Sequence, residues 1–102
     1  MTQVEIVEKG AETLRIALSG EIDSRNAEEF FNTVAEAYEE APANLVFDCV
    51  ALEFIDSTTL GTFVKLLKKV KAAGHKMTLC GLQAKIKKLF VICSLDTIME
   101  IC

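Results

Sequence analysis

The hydrophobic period of this chain switches repeatedly between two residues and about 3.6 residues, and that alternation restricts the fold more than any other feature. Val4-Glu5-Ile6-Val7 and Leu14-Arg15-Ile16-Ala17-Leu18 alternate as strands do, and the intervening Lys9-Gly10-Ala11-Glu12 suits a hairpin turn. Gly20 ends the second strand. From about residue 24 to 40, Ala27, Phe30, Phe31, Val34, Ala37, Tyr38 and Ala41 recur on one helical face. Asp23, Ser24 and Asn26 are competent N-caps for that helix, Glu28 and Glu29 suit the positive end of its dipole, and Pro42 stops it.

Asn44-Leu45-Val46-Phe47-Asp48-Cys49-Val50 is a nearly continuous apolar run, which predicts a strand covered on both faces. A second helix is predicted over about 58–73, with Leu60, Phe63, Val64, Leu67 and Val70 inward. Lys65, Lys68, Lys69 and Lys71 lie outward, and Gly74 is a natural C-terminal cap. Lys76-Met77-Thr78-Leu79-Cys80 reads as another strand. A short helix at about 83–92 carries Ile86, Leu89 and Phe90 on one side and Lys85, Lys87 and Lys88 on the other. Thr97–Ile101 reads as a closing strand. The order β-β-α-β-α-β-α-β predicts an α/β fold, a mixed sheet containing parallel pairs with helices packed on it. No repeat or composition break divides the 102 residues, so one domain over 1–102 is expected.

Charge is unevenly spread. Residues 1–50 carry eleven acidic side chains against Lys9, Arg15 and Arg25, a net of −8. The rest carries eight lysines against Glu53, Asp56, Asp96 and Glu100, a net of +4. An acidic and a basic face would steer a charged protein partner. Nucleic acid is a poor fit, because arginine is scarce and no aromatic is interleaved with the lysines. The opening MTQVEIVEKG has neither the basic nor the apolar region of a signal peptide, and no apolar run is long enough for a membrane helix. A cytoplasmic protein without membrane insertion is expected. Cys49, Cys80, Cys93 and Cys102 show no C-x-x-C spacing, and the single histidine, His75, follows Gly74 as an exposed turn residue would. Metal binding is not expected; Cys49 and Cys80 read as small core hydrophobes and Cys102 as an exposed thiol. There is no G-x-x-x-x-G-K-[ST], G-x-G-x-x-G or G-x-S-x-G, and no catalytic constellation, so neither an enzyme nor a cofactor is expected.

One segment stands out: Phe54-Ile55-Asp56-Ser57-Thr58-Thr59-Leu60-Gly61. It leads from the third strand into the second helix, at the sheet edge where ligands and partners of open α/β folds bind. A hydroxyl there meets helix amides and the positive end of a dipole, which favour an added phosphate. Asp, Ser and Thr are also ordinary N-caps, and helix capping alone would account for them.

With its surroundings, the segment resembles the STAS family, specifically the bacterial anti-sigma factor antagonists. Leu18-Ser19-Gly20-Glu21-Ile22-Asp23 is similar to the family's L-x-G-E-[LI]-D. Val46-Phe47-Asp48 followed by Phe54-Ile55-Asp56-Ser57 is similar to its strand and D-S-[ST]-G-L-G signature. Ala73-Gly74 to Leu79-Cys80-Gly81 and then Ile86-Lys87-Lys88-Leu89-Phe90 match the remaining strand and helix. The resemblance implies a STAS-like fold and a non-enzymatic binding protein that regulates sigma-factor-dependent transcription. It implies an anti-sigma factor serine kinase as partner, phosphorylation of Ser57 by that kinase, and reversal by a PP2C-type phosphatase. The implied partner surface is Asp23, Ser24, Asp56, Ser57, Thr58, Thr59 and Leu60. Two departures stand against the pattern. Thr59 occupies the signature's glycine position, where it is expected to crowd the partner or offer another phosphoacceptor, and the chain is expected to close on its last strand without the family's C-terminal helix. The alternatives are a STAS accessory subunit of a lipid transporter or signalling complex without phosphorylation control, and a small-molecule binder using the edge around Asp23 and Ser57.

Overall fold

In the computed structural model, which describes residues 3–102, the Gly10 amide donates to the Thr13 carbonyl at 2.9 Å. That bond closes the first hairpin, so β1 (Val4–Lys9) and β2 (Thr13–Ile22) pair antiparallel. Then follow α1 (Ala27–Glu40), β3 (Asn44–Ile55), α2 (Ser57–Ala72), β4 (Met77–Cys80), α3 (Ala84–Ile92), a 3-10 turn at Leu95–Thr97 and β5 (Glu100–Ile101). The five strands form one sheet in the order β1-β2-β3-β4-β5, with the pairs after the hairpin all parallel. This is the mixed α/β sheet that the periodicity predicts.

Strand order from β2 to β5 never reverses. Three successive crossovers of the favoured right hand therefore put α1, α2 and α3 on the same face. Burial follows. Leu14, Ile16 and Leu18 of β2, Leu45, Phe47 and Cys49 of β3, and Met77 and Leu79 of β4 join Phe30, Val34, Phe63, Leu67, Val70 and Phe90 in one core. The intervening residues line a more open face, where Val46 and Asp48 are half-buried and Val50 is 68% exposed. The expectation that the third strand is covered on both faces is thus corrected: helices cover only one.

Phe63 sits at the centre of the core. Its ring meets Phe30, Phe47 and Phe90 edge-on at centroid distances of 5.2, 5.5 and 5.5 Å, linking both other helices and the central strand. The buried stripe of α2 is Thr59, Thr62, Phe63, Leu66, Leu67 and Val70, with Leu60 and Val64 only half-buried. Leu89, expected to face inward, is 36% exposed; Ile86 and Phe90 are the buried residues of α3. Cys49 is a core residue as expected, and burial pushes its thiol up to about 12.

Other boundaries move. β3 runs on to Ile55 rather than ending near Val50, because β2 also continues and pairs with it through Ile22↔Ile55. Register shifts between Ala17/Ser19 and Gly20/Glu21 break the two-residue alternation that would have marked the extension. α1 begins at Ala27, since the Asp23 carbonyl accepts the Asn26 and Ala27 amides in a turn ahead of it. The closing strand shrinks to Glu100–Ile101 because 95–97 wind into the 3-10 turn.

α2 ends as expected at Gly74, whose φ of 83° suits glycine. Its amide donates to the Lys71 carbonyl at 3.0 Å and the His75 amide to that of Val70 at 2.8 Å, the paired bonds of a Schellman ending. His75 itself is not an exposed turn residue. It is half-buried, with Nδ1 2.6 Å from the Tyr38 hydroxyl, and so ties the end of α1 to the turn before β4. Among the described residues, no helix is long and apolar enough to cross a membrane.

Candidate functional site

β2 and β3 end side by side at Ile22 and Ile55, so the next residue of each strand, Asp23 and Asp56, emerges at the same edge of the sheet. The two carboxylates have different tasks. Asp56 is the N-cap of α2: Oδ1 accepts the Thr59 amide at 3.0 Å. Its Oδ2 accepts the Ser24 amide at 2.9 Å, which fastens the loop after β2 to the start of α2. Burial works against ionisation of Asp56, but the Thr59 and Ser24 amides and the Thr59 hydroxyl outweigh it and hold the carboxyl below its usual range.

Asp23 instead turns to Arg25. Oδ1 accepts the Arg25 amide and Nε at 3.0 and 2.9 Å, and Oδ2 accepts Nη2 at 2.7 Å. The guanidinium bonds come first in holding the Asp23 carboxyl below its usual range. The Asp23 amide donates to Asn26 Oδ1 at 2.8 Å, and Asn26 Nδ2 donates to the Glu21 carbonyl at 3.0 Å. Asp23 therefore shapes the loop and does not cap α1. Expected on the partner surface, it is largely buried at 8% exposure, with its charge already matched by Arg25.

Thr59 needs a sharper correction. Expected to crowd a partner or accept a phosphate, it is fully buried. Its hydroxyl donates to the Ile22 carbonyl and lies 3.1 Å from Asp56 Oδ1. The residue at the signature's glycine position thus locks the first turn of α2 onto the end of β2 from beneath the surface. Replacing it with valine keeps the shape and strands the buried carbonyl. Thr59→Val is expected to cost about 1–3 kcal/mol in urea unfolding. A cost below a few tenths would mean that the hydroxyl contributes nothing to the junction.

Ser57 is the first residue of α2, and it and Thr58 are exposed. Ser24 is exposed beside Asp56, and Leu60 is half-buried. Of the seven residues singled out from sequence, the fold brings Ser24, Asp56, Ser57 and Thr58 to one surface with Leu60 at its margin, and turns Asp23 and Thr59 inward. A cleft between the starts of α1 and α2 adjoins it, lined by Ser24, Glu28, Phe31, Thr58, Thr62 and Lys65. The Lys65 ammonium stands 5.9 Å from the Phe31 ring centre. Sequence reading missed Arg25 as the partner of Asp23, and missed Phe54, 47% exposed two residues before Asp56. From sequence Phe54 reads as part of the segment joining the third strand to the second helix; its outward direction depends on the irregular pairing of β2 with the extended β3.

The family model of the STAS domain matches residues 4–102. The chain is 30% identical over 98 residues to the anti-sigma-B factor antagonist of Listeria monocytogenes, covering 96% of this chain and 86% of that protein. Its fold is similar to that of the anti-sigma factor antagonist SpoIIAA in its unphosphorylated form, with a TM-score of 0.74 and 22% identity over 98% of this chain and 86% of that one. It is equally similar to the Bacillus cell fate determinant SpoIIAA in the phosphorylated form, with a TM-score of 0.76 and 21% identity over 97% and 90% of the two chains.

Proposed function

Because the chain belongs to the STAS domain family, we propose that it acts as an anti-sigma factor antagonist whose binding is switched off by phosphorylation of Ser57. In this reading its partner is an anti-sigma factor that is also a serine kinase, and binding releases a sigma factor in the cytoplasm. The partner surface is built on Ser24, Asp56, Ser57, Thr58 and Leu60, shaped from beneath by Asp23 and Thr59. A PP2C-type phosphatase resets the switch.

The observation that carries the reading is the division of labour at the start of α2. Asp56 caps the helix through its own carboxylate, so exposed Ser57 is not needed for capping. Ordinary capping accounts for Asp56 and leaves the neighbouring serine without that explanation. A phosphate on Ser57 would sit in the first turn, where helix amides and the dipole favour negative charge, so the fold tolerates it. The same phosphate adds a charge of roughly −1.5 to −2 beside Asp56, on a surface that must lose water to bind. Folding is spared and association is opposed, which is what a reversible switch requires. The phosphorylated form of SpoIIAA, with the same fold, supports the compatibility of this architecture with a phosphate.

The test is capture followed by chemistry. Wild-type protein as bait in host lysate is expected to retain an ATP-binding anti-sigma factor. Incubation of that complex with magnesium and ATP is expected to place one phosphate on Ser57, found by peptide mapping, and none on Ser57→Ala protein. Phosphate on Thr58 would overturn the assignment of the residue. Stable capture of a transporter or other signalling subunit, indifferent to ATP, would overturn the switch.

A further inference from the structure

We propose that Cys80 and Cys102 form a built-in disulfide site, an intramolecular bond made on exposure to hydroperoxide that pins β5 to β4. Parallel pairing of these strands sets Thr78 opposite Glu100 and Leu79 opposite Ile101, so Cys80 and Cys102 come next in register. Residues paired across neighbouring strands point to the same face and have Cα separations within the range a disulfide spans. The backbone holds that register beyond the last ladder pair, since the Cys102 amide donates to the Leu79 carbonyl at 2.8 Å. A side-chain bond from Thr78 to Glu100 at 3.0 Å supports it from the adjacent position. The two sulfurs are 2.7 Å apart, so closing the bond needs only a small rotation. Cys49 lies fully inside the core, and Cys93 is exposed just after α3 with no thiol set opposite it in a ladder.

The two thiols differ in exposure: Cys80 is half-buried, and Cys102 is open to solvent. Cys102 therefore meets the oxidant first. Its sulfur attacks the peroxide O–O bond, giving a sulfenic acid and releasing the alcohol, or water from hydrogen peroxide. The Cys80 sulfur then displaces the sulfenic hydroxyl, which leaves as a second water with the thiol proton. Overall two thiols lose two protons and two electrons to one peroxide. The new bond closes a loop that contains all of α3 and adds a covalent link to the shortest pairing in the sheet, that of a two-residue strand.

The test uses Cys93→Ser protein, which removes the other exposed thiol. Treatment with hydrogen peroxide is expected to lower the mass of the monomer by about 2 Da. Digestion with trypsin is then expected to link the peptide containing Cys80 to that containing Cys102. Cys80→Ser in the same background should show no such link while melting, unoxidised, close to its parent. Oxidation of the parent is expected to raise Tm on the order of 10 °C, as closure of a loop of this length does. Disulfide-linked dimers, sulfinic acid on Cys102 with Cys80 still open to alkylation, or no reaction in excess peroxide would each overturn the proposal.

Discussion

Ser57→Asp protein is expected to lose affinity for the anti-sigma factor by on the order of 100-fold, about 2.7 kcal/mol, in calorimetric titration against the captured partner. Ser57 is exposed at the first position of α2, and a carboxylate there stands beside the ionised Asp56. Arg25, in the neighbouring loop, is committed to Asp23 at 2.7 Å and to Glu21 at 3.3 Å. In the proposed interface the new charge enters a surface that binding must dry, so its desolvation falls on the complex, where the lower dielectric also strengthens its repulsion from Asp56. The free protein behaves differently: a negative charge in the first turn of α2 complements the helix dipole, so Tm should hold or rise slightly. Binding lost with folding kept separates a switch from a damaged fold. Ser57→Ala, which removes only an exposed hydroxyl, should bind within a few-fold of wild type. Equal affinity of the Asp and wild-type proteins would remove Ser57 from the interface.

The second large effect lies in the core. Phe63→Ala is expected to cost about 3–5 kcal/mol, because truncating a buried ring removes its transfer free energy and leaves a cavity. Phe63 is fully buried and its edge contacts with Phe30, Phe47 and Phe90 hold α1, α2, α3 and β3 to a common centre. Each aromatic pair adds roughly 0.5–1.5 kcal/mol beyond area burial. Against a domain stability of about 5–15 kcal/mol, this loss should lower Tm by roughly 15–30 °C in a thermal scan. Phe54→Ala is the matched control: the same truncation on a half-exposed ring at the sheet edge should leave Tm within a few degrees. A cost below about 1.5 kcal/mol for Phe63→Ala would mean that the core closes around the vacancy and the four rings are not its centre.

The failures of sequence reading have specific causes. Period-two alternation was clear in β1 and β2 up to Leu18, and period-3.6 patterning was clear in α1 and α2; those elements formed close to where they were expected. The second half of β3 was hidden because two register shifts against β2 scramble its inward and outward positions. The apolar run at 44–50 looked buried on both faces because local composition does not record which face a crossover helix covers. Handedness and strand order decide that, and they put every helix on one side. Thr59 illustrates the same limit at the site. Its type is compatible with an exposed phosphoacceptor, and only the approach of the Ile22 carbonyl, 37 residues away in sequence, turns its hydroxyl inward.

The chain by itself determined the order of its elements, the hairpin at Gly10, the end of α2 at Gly74 and the place of the Asp56-Ser57 junction between a strand and a helix. These rest on near-neighbour physics: side-chain periodicity, turn conformations open to glycine, and the preferences of helix ends. Only the tertiary structure decided which of the site's residues face solvent, that Asp56 and not Ser57 caps the helix, that Arg25 neutralises Asp23, and that Cys80 meets Cys102. Those facts depend on strand register and on bonds between segments distant in sequence. A one-residue slip of β5 against β4 would turn Cys102 away from Cys80, and a slip of β2 against β3 would part the loop at Ser24 from Asp56.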